Sequence, residues 1–197
     1  VLIGNGDGTF QTPDTFNSNL GYFDSYYYGD SEDVRDVELA DINGDGNVDI
    51  VAAGNSYNDG YYYYGSGDGL SVLLGNGDGT FNAPTTYEIS AGTGNGYEYE
   101  IGRDVDLADL NGDGVLDAVV VAYAATYYSD TDASVGVLLG NSDGTFQAVQ
   151  NYATDVGDIG NTNEDTYAVA IGDIDNDGSF EIVTAGSTYS YSGGNTD

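Results

Sequence analysis

Two short motifs recur three times in fixed order, and this recurrence limits the fold more than any other feature of the chain. The first reads VLIGNGDGTF at 1–10, VLLGNGDGTF at 72–81 and VLLGNSDGTF at 137–146. The second reads DINGDGNVD at 41–49, DLNGDGVLD at 109–117 and DIDNDGSFE at 173–181. Successive copies lie 64 to 71 residues apart. A chain of 197 residues therefore holds three units of about 65–70 residues each, rather than one irregular domain.

Each unit is written in short strands. Val34–Ala40 and Val105–Ala108 alternate apolar with polar or small residues, as half-buried strands do. After the Asp-rich motif come Ile50–Ala53, Ala118–Ala122 and Ile182–Ala185, short and rich in β-branched residues. Leu70–Leu74 and Val135–Leu139 precede the Gly-Asn turn, and Thr80–Ile89 and Thr145–Tyr152 follow it. No window carries a 3.6-residue apolar stripe, so essentially no helix is expected. The expected class is all-β: β-propeller-type blades, as three four-stranded antiparallel units. Units one and two span 34–89 and 103–152. The third is split, with its first two strands in 167–197 and its last two in 1–16. Three blades are fewer than a closed propeller uses. Two expectations follow: residues 1–16 complete a blade of a neighbouring copy by strand addition, or the units belong to a longer array.

Charge narrows the function. Lys plus Arg is 2 and Asp plus Glu is 34, for a formal charge of −32. Arg35 and Arg103 are the only basic side chains, which leaves no electrostatic footprint for nucleic acid or an anionic membrane. No apolar run reaches membrane-spanning length, so membrane insertion is not expected. The absence of Cys excludes disulfides and thiolate metal sites. The absence of His removes the commonest general base and any Ser-His triad. Carboxylates are so numerous that no pair stands out for glycoside hydrolysis. The chain is not expected to be an enzyme.

What remains is oxygen chemistry, which suits hard cations. In the second motif, positions 1, 3, 5 and 9 supply side-chain oxygens and position 7 can supply a backbone carbonyl. The ligand sets are Asp41, Asn43, Asp45, Asn47 and Asp49; Asp109, Asn111, Asp113, Val115 and Asp117; and Asp173, Asp175, Asp177, Ser179 and Glu181. Calcium gathers 6–8 oxygens from such loops, whereas Mg2+ demands a stricter octahedron. About three Ca2+ ions, one per unit, are expected. Gly46, Gly114 and Gly178 at position 6 permit the sharp turn. An EF-hand is excluded, because position 12 holds Ala52, Val120 and Thr184.

The two motifs together resemble the FG-GAP/VCBS repeats of integrin α-chain propellers and many bacterial extracellular proteins. The pattern V-x-x-A-D-x-N-G-D-G-x-x-D-[IA]-V followed by V-L-L-G-N-G-D-G-T-F carries the resemblance. It implies a calcium loop joining two strands of a blade. The third unit departs from it with Asp-Ile-Asp-Asn-Asp-Gly-Ser-Phe-Glu and with Ser142 in its turn.

Other features have competing readings. The Gly-Asn-Gly-Asp-Gly-Thr turns read as hairpins, with second cation sites at Asp7, Asp78 and Asp143 as the alternative. Arg35 and Arg103 occupy the same place in their units, where the third has Tyr167, and read as structural anchors between blades. Tyr26–Tyr28, Tyr61–Tyr64, Tyr127–Tyr128 and Tyr189/Tyr191 sit in Gly/Ser/Asp-rich loops suited to protein contact or to stacking on sugars. The expected function is an extracellular or cell-surface, calcium-stabilised structural repeat protein. It would assemble head to tail into a filament or surface assembly, contacting copies of itself through strand edges and Tyr loops. The alternative is a fragment of a closed propeller adhesin or lectin that binds glycan or protein ligands.

Overall fold

The computed structural model describes residues 1–22, 33–57, 68–89, 98–126, 130–153 and 162–190. They form eleven strands and, among the described residues, no helix. The strands are β1 (Gly21–Tyr22), β2 (Asp33–Ala40), β3 (Asp49–Tyr57), β4 (Asp68–Leu73) and β5 (Thr85–Glu88). They continue as β6 (Glu98–Ala108), β7 (Asp117–Thr126), β8 (Asp130–Leu138), β9 (Gln150–Ala153), β10 (Thr162–Gly172) and β11 (Glu181–Ser190).

The repeat is visible in the pairing. Strands β2 to β5 form one antiparallel meander, and β6 to β9 form a second. A single bridge, Asn55 to Ile101, joins the two, and β1 adds to β3 in parallel. Strands β10 and β11 make a separate hairpin. The strand order is open in both sheets, and neither closes into a barrel. Residues 1–16 contain no named strand, but they form a hairpin closed by Asn5 N–H to Thr9 O at 2.9 Å and Gln11 N–H to Ile3 O at 2.8 Å. The same two bonds recur at 76/80 and 82/74, and at 141/145 and 147/139. The second strands run longer than their apolar cores: β3 extends to Tyr57 and β7 to Thr126. Ladder pairing carries them past the buried residues.

Each first strand contains a bulge at one place. The register slips between Val34 and Asp36, between Gly102 and Asp104, and between Thr166 and Ala168. The extra residue is Arg35, Arg103 or Tyr167. A bulge re-aims the side chain it carries, and the Arg103 guanidinium lies 4.7 Å from the ring centroid of Tyr167 in the next unit. Arg103 is therefore an anchor between the second and third units.

The units pack face to face. Ala118, Val120 and Ala122 on β7 join Val51, Ala53, Leu70 and Val72 in one core. Val119 points the other way and joins Val135 and Val137 in a second core, against Val169, Ile171 and Ile182 of the third unit. β7 is thus buried on both faces, which explains why its apolar run is continuous rather than alternating. The two ends of the stack lack that cover. Val37 and Leu39 on β2 are 47% and 63% exposed, and Ile174 and Val183 at the far end are 62% and 47% exposed.

Candidate metal centres

The three Asp-rich loops each join the first strand of a unit to its second. Their shape is set by carboxylates that cap their own backbone. In the first loop Asp41 Oδ1 accepts the N–H of Asp45 at 3.1 Å, and Asp41 Oδ2 accepts that of Gly46 at 2.8 Å. Asn43 Oδ1 accepts Asp45 N–H at 2.9 Å, and Asp45 Oδ1 accepts Asn47 N–H at 2.7 Å. The second loop repeats these bonds with Asp109, Asn111 and Asp113, and the third with Asp173, Asp175 and Asp177. In each loop the side chains at positions 1, 3 and 5 are thereby folded back onto the loop's own backbone. The residues at position 7, Asn47, Val115 and Ser179, donate their N–H groups to position 5.

Position 6 takes positive φ in every loop: 88° at Gly46, 86° at Gly114 and 92° at Gly178. Position 4 does so as well, with Gly44 at 72°, Gly112 at 76° and Asn176 at 63°. Asn is among the few residues other than Gly that tolerate this region, so the third loop keeps its shape without a Gly at position 4.

The third loop gathers the most charge. One oxygen from each of Asp173, Asp175 and Asp177 lies within 4.8 Å of the others. All three residues are exposed. The first two loops have Asn at position 3 and so one carboxylate fewer.

Position 9 behaves differently. Asp49 and Asp117 are fully buried. Asp49 Oδ2 accepts Ile42 N–H at 3.0 Å, and Asp49 Oδ1 accepts Gly75 N–H at 2.7 Å. Asp117 makes the matching bonds to Leu110 at 3.0 Å and Gly140 at 2.8 Å. This carboxylate therefore ties the Asp loop to the Gly-Asn turn two strands later. A side chain on the Gly would break the contact: a Cβ at Gly75 would sit 2.2 Å from the Val48 carbonyl oxygen, and one at Gly140 would sit 2.1 Å from that of Leu116. Glu181, at position 9 of the third loop, accepts Ile174 N–H at 2.6 Å and makes no described contact with a Gly-Asn turn.

The Gly-Asn turns have a clamp of their own. Asp7, Asp78 and Asp143 each accept the backbone N–H and the hydroxyl of the Thr two residues on, the hydroxyl at 2.6 Å in each case. The Thr hydroxyl first, and its N–H second, hold all three carboxyls below the ordinary Asp range. Hairpin chemistry accounts for these residues. Where Ser142 replaces Gly, the turn adds a Gly144 N–H to Asn141 O bond of 3.0 Å.

A further carboxylate cluster lies where the first strands of neighbouring units meet. Asp36 Oδ2 accepts Val105 N–H at 3.0 Å, Asp104 Oδ2 accepts Val169 N–H at 2.7 Å, and Asp106 Oδ2 accepts Ile171 N–H at 2.9 Å. Burial first, then the nearby Asp36, Asp106 and Asp104, pushes the Glu38 carboxyl up. Burial raises Asp104 as well, opposed by the Val169 bond and reinforced by Asp36 and Asp106. Sequence reasoning passed over these residues. The signal was available, because Asp36 and Asp104 stand beside the repeated Arg in the same register.

The Tyr-rich segments 26–28, 61–64 and 127–128, and Tyr191, fall outside the described residues, and so does the Tyr189 side chain. No helix of the described residues is long and apolar enough to cross a membrane. Residues 41–120 match the family model of the FG-GAP-like repeat. The match opens at position 1 of the first Asp loop and ends inside β7, so it spans a whole period. No curated protein matches the chain.

Proposed function

We propose that this chain, with an FG-GAP-like repeat over residues 41–120, is a calcium-stabilised extracellular structural protein whose units continue from copy to copy, head to tail. The repeat itself is a structural, non-catalytic element. The observation that carries the reading is a pair of exposed faces that match the covered ones. Unit three shows the face that units one and two cover, and unit one shows the face that units two and three cover. Within the described residues β11 pairs only with β10, whereas β3 and β7 each pair on both sides. An unpaired strand edge of this kind is a template for another strand.

Calcium fits the loops on the chemistry of their donors. Each offers hard oxygen from Asp, Asn or Glu, no nitrogen or sulfur ligand exists in the chain, and clustered carboxylates repel unless a cation neutralises them. The residues that would hold it are those at positions 1, 3 and 5 with the position-7 carbonyl, while the buried Asp49 and Asp117 at position 9 accept backbone N–H groups on both oxygens and brace the loop from behind. The ion would supply a fixed positive charge that stiffens the turn between two strands. An excess of negative charge suits a calcium-rich exterior and resists nonspecific association.

The test is electron microscopy of the chain in calcium and after chelation. Filaments whose axial repeat equals three units support the reading. Monodisperse single chains in calcium at high concentration overturn it, and discrete rings replace it with a closed propeller.

A further inference from the structure

Taking the head-to-tail reading as its premise, we propose that the joint between copies is a third instance of a contact made twice within the chain. Residues 1–16 of one copy dock on the edge of β11 that faces away from β10 in another. The Gly4 N–H meets the Glu181 carboxylate, and Phe10 meets Tyr152.

The register follows from the two internal instances. Ile50 and Val51 on β3 pair with Leu73 and Val72. Ala118 and Val119 on β7 pair with Leu138 and Val137. The matching residues are Ile182 and Val183 on β11, and Leu2 and Val1 in the N-terminal hairpin. Leu2 and Val1 are 55% and 44% exposed, so the segment that repeats the missing partner is displayed rather than buried.

The clamp is half made on each side. In its own hairpin Gly4 pairs with Phe10 in the same geometry as Gly75 with Phe81, which leaves the Gly N–H outside the hairpin bonds. Gly75 and Gly140 use that N–H on Asp49 and Asp117. Among the described residues Gly4 meets no such carboxylate, and Glu181 meets no such glycine. The space agrees. A Cβ at Gly4 would meet only Phe10 Cε1 at 3.9 Å, whereas at Gly75 and Gly140 it would strike a carbonyl oxygen. Among the described residues, nothing crowds the place a side chain at Gly4 would take.

An aromatic ladder points the same way. Phe16 packs edge-on against Phe81 at 5.0 Å, and Tyr87 packs edge-on against Phe146 at 5.6 Å. The next step of the ladder would be Tyr152 against the residue equivalent to Phe146. Tyr152 is 55% exposed, and Phe10, the repeat equivalent of Phe81 and Phe146, is 61% exposed. Docking residues 1–16 on β11 supplies that step. One element is lacking: Ala168 and Ala170 stand where Asp104 and Asp106 link unit two to unit three. The joint therefore relies on the strand edge, the clamp and the ring pair.

Gly4→Ala separates this joint from the fold. A methyl group there touches nothing critical in the single chain, so circular dichroism and the melting temperature of the dilute variant should match wild type. Docked, it would meet the carbonyl of residue 180 as a Cβ at Gly75 meets that of Val48. The critical concentration for assembly, read by sedimentation and light scattering, should rise about 10- to 100-fold. Phe10→Ala and Tyr152→Ala should each raise it, and the double variant should do little more than either alone, because they remove one contact. Wild type that stays monomeric overturns the head-to-tail reading itself. Wild type and Gly4→Ala assembling equally well overturns this joint while leaving head-to-tail assembly through another surface.

Discussion

The backbone N–H of Val169 donates to Asp104 Oδ2 at 2.7 Å across 65 residues of sequence. The bond joins two units, and its acceptor is a carboxylate crowded by Asp36 and Asp106 and raised chiefly by burial. A carboxyl raised in the folded chain binds its proton more tightly there than in the unfolded chain. Its contribution therefore favours folding as pH falls from neutrality toward the ordinary Asp range, and is lost as pH rises through the raised value. Asp104→Asn keeps an oxygen for Val169 and removes the crowded charge. The variant should melt at the same temperature as wild type at pH 7, or a few degrees higher. The difference should shrink on acidification, read from melting curves of both proteins across pH 4–8. A clear loss of stability at pH 7 would mean that the charge itself holds Val169.

Asp49 and Asp117 should be the least replaceable acidic residues in the chain. Asp49→Ala leaves the buried N–H groups of Ile42 and Gly75 without acceptors. At about 1–3 kcal/mol for each orphaned group, the loss is about 2–6 kcal/mol. Urea unfolding would measure it. The exposed Asp45→Ala should cost far less in chelator, where no metal contributes.

Calcium should raise stability through the loops. At a free concentration 100 times the dissociation constant, each site adds about 2.7 kcal/mol. Titration calorimetry should count about three ions per chain, and chelation should lower the melting temperature. Replacing both Asp173 and Asp175 by Asn should remove one ion from the count. A chain whose melting temperature ignores calcium would rule out the metal role.

The Thr clamps predict a titration shift. Thr80→Val removes the hydroxyl that most lowers Asp78, so that carboxyl should titrate closer to the ordinary Asp value. In wild type the depressed value contributes stability above the unfolded pKa, and that contribution is lost as pH falls through the folded one. Carbon NMR of the Asp side chains would read the change directly, with Asp7 and Asp143 as internal references.

Much of this was readable from the sequence because repetition acts as an internal alignment. The strand order, the three Asp loops and the turns all follow from what recurs between 1–10, 72–81 and 137–146 and between 41–49, 109–117 and 173–181. The unread parts are relations between distant residues. Nothing local to Asp49 announces that its carboxylate reaches Gly75, because that bond exists only once β3 and β4 are paired. The alternation of the first strands implies half-burial. Packing of neighbouring units decided instead that Val105 is covered while Val37 stays open. Position 4 of the loops is hidden in the sequence because Asn176 breaks the glycine pattern while keeping the backbone.

The double burial of β7 sets an order in which the chain comes apart. Its amides are flanked by packed sheets on both sides, whereas β2 and β11 each have one side uncovered. In a linear array each unit borrows stability from its neighbours, so opening proceeds inward from the two ends. Hydrogen exchange should be slowest in the run from Ala118 to Ala122 and fastest toward residues 1–16 and the far edge of β11. Joining copies end to end would turn each terminal unit into an interior one, and the protection now confined to the middle would spread along the whole array.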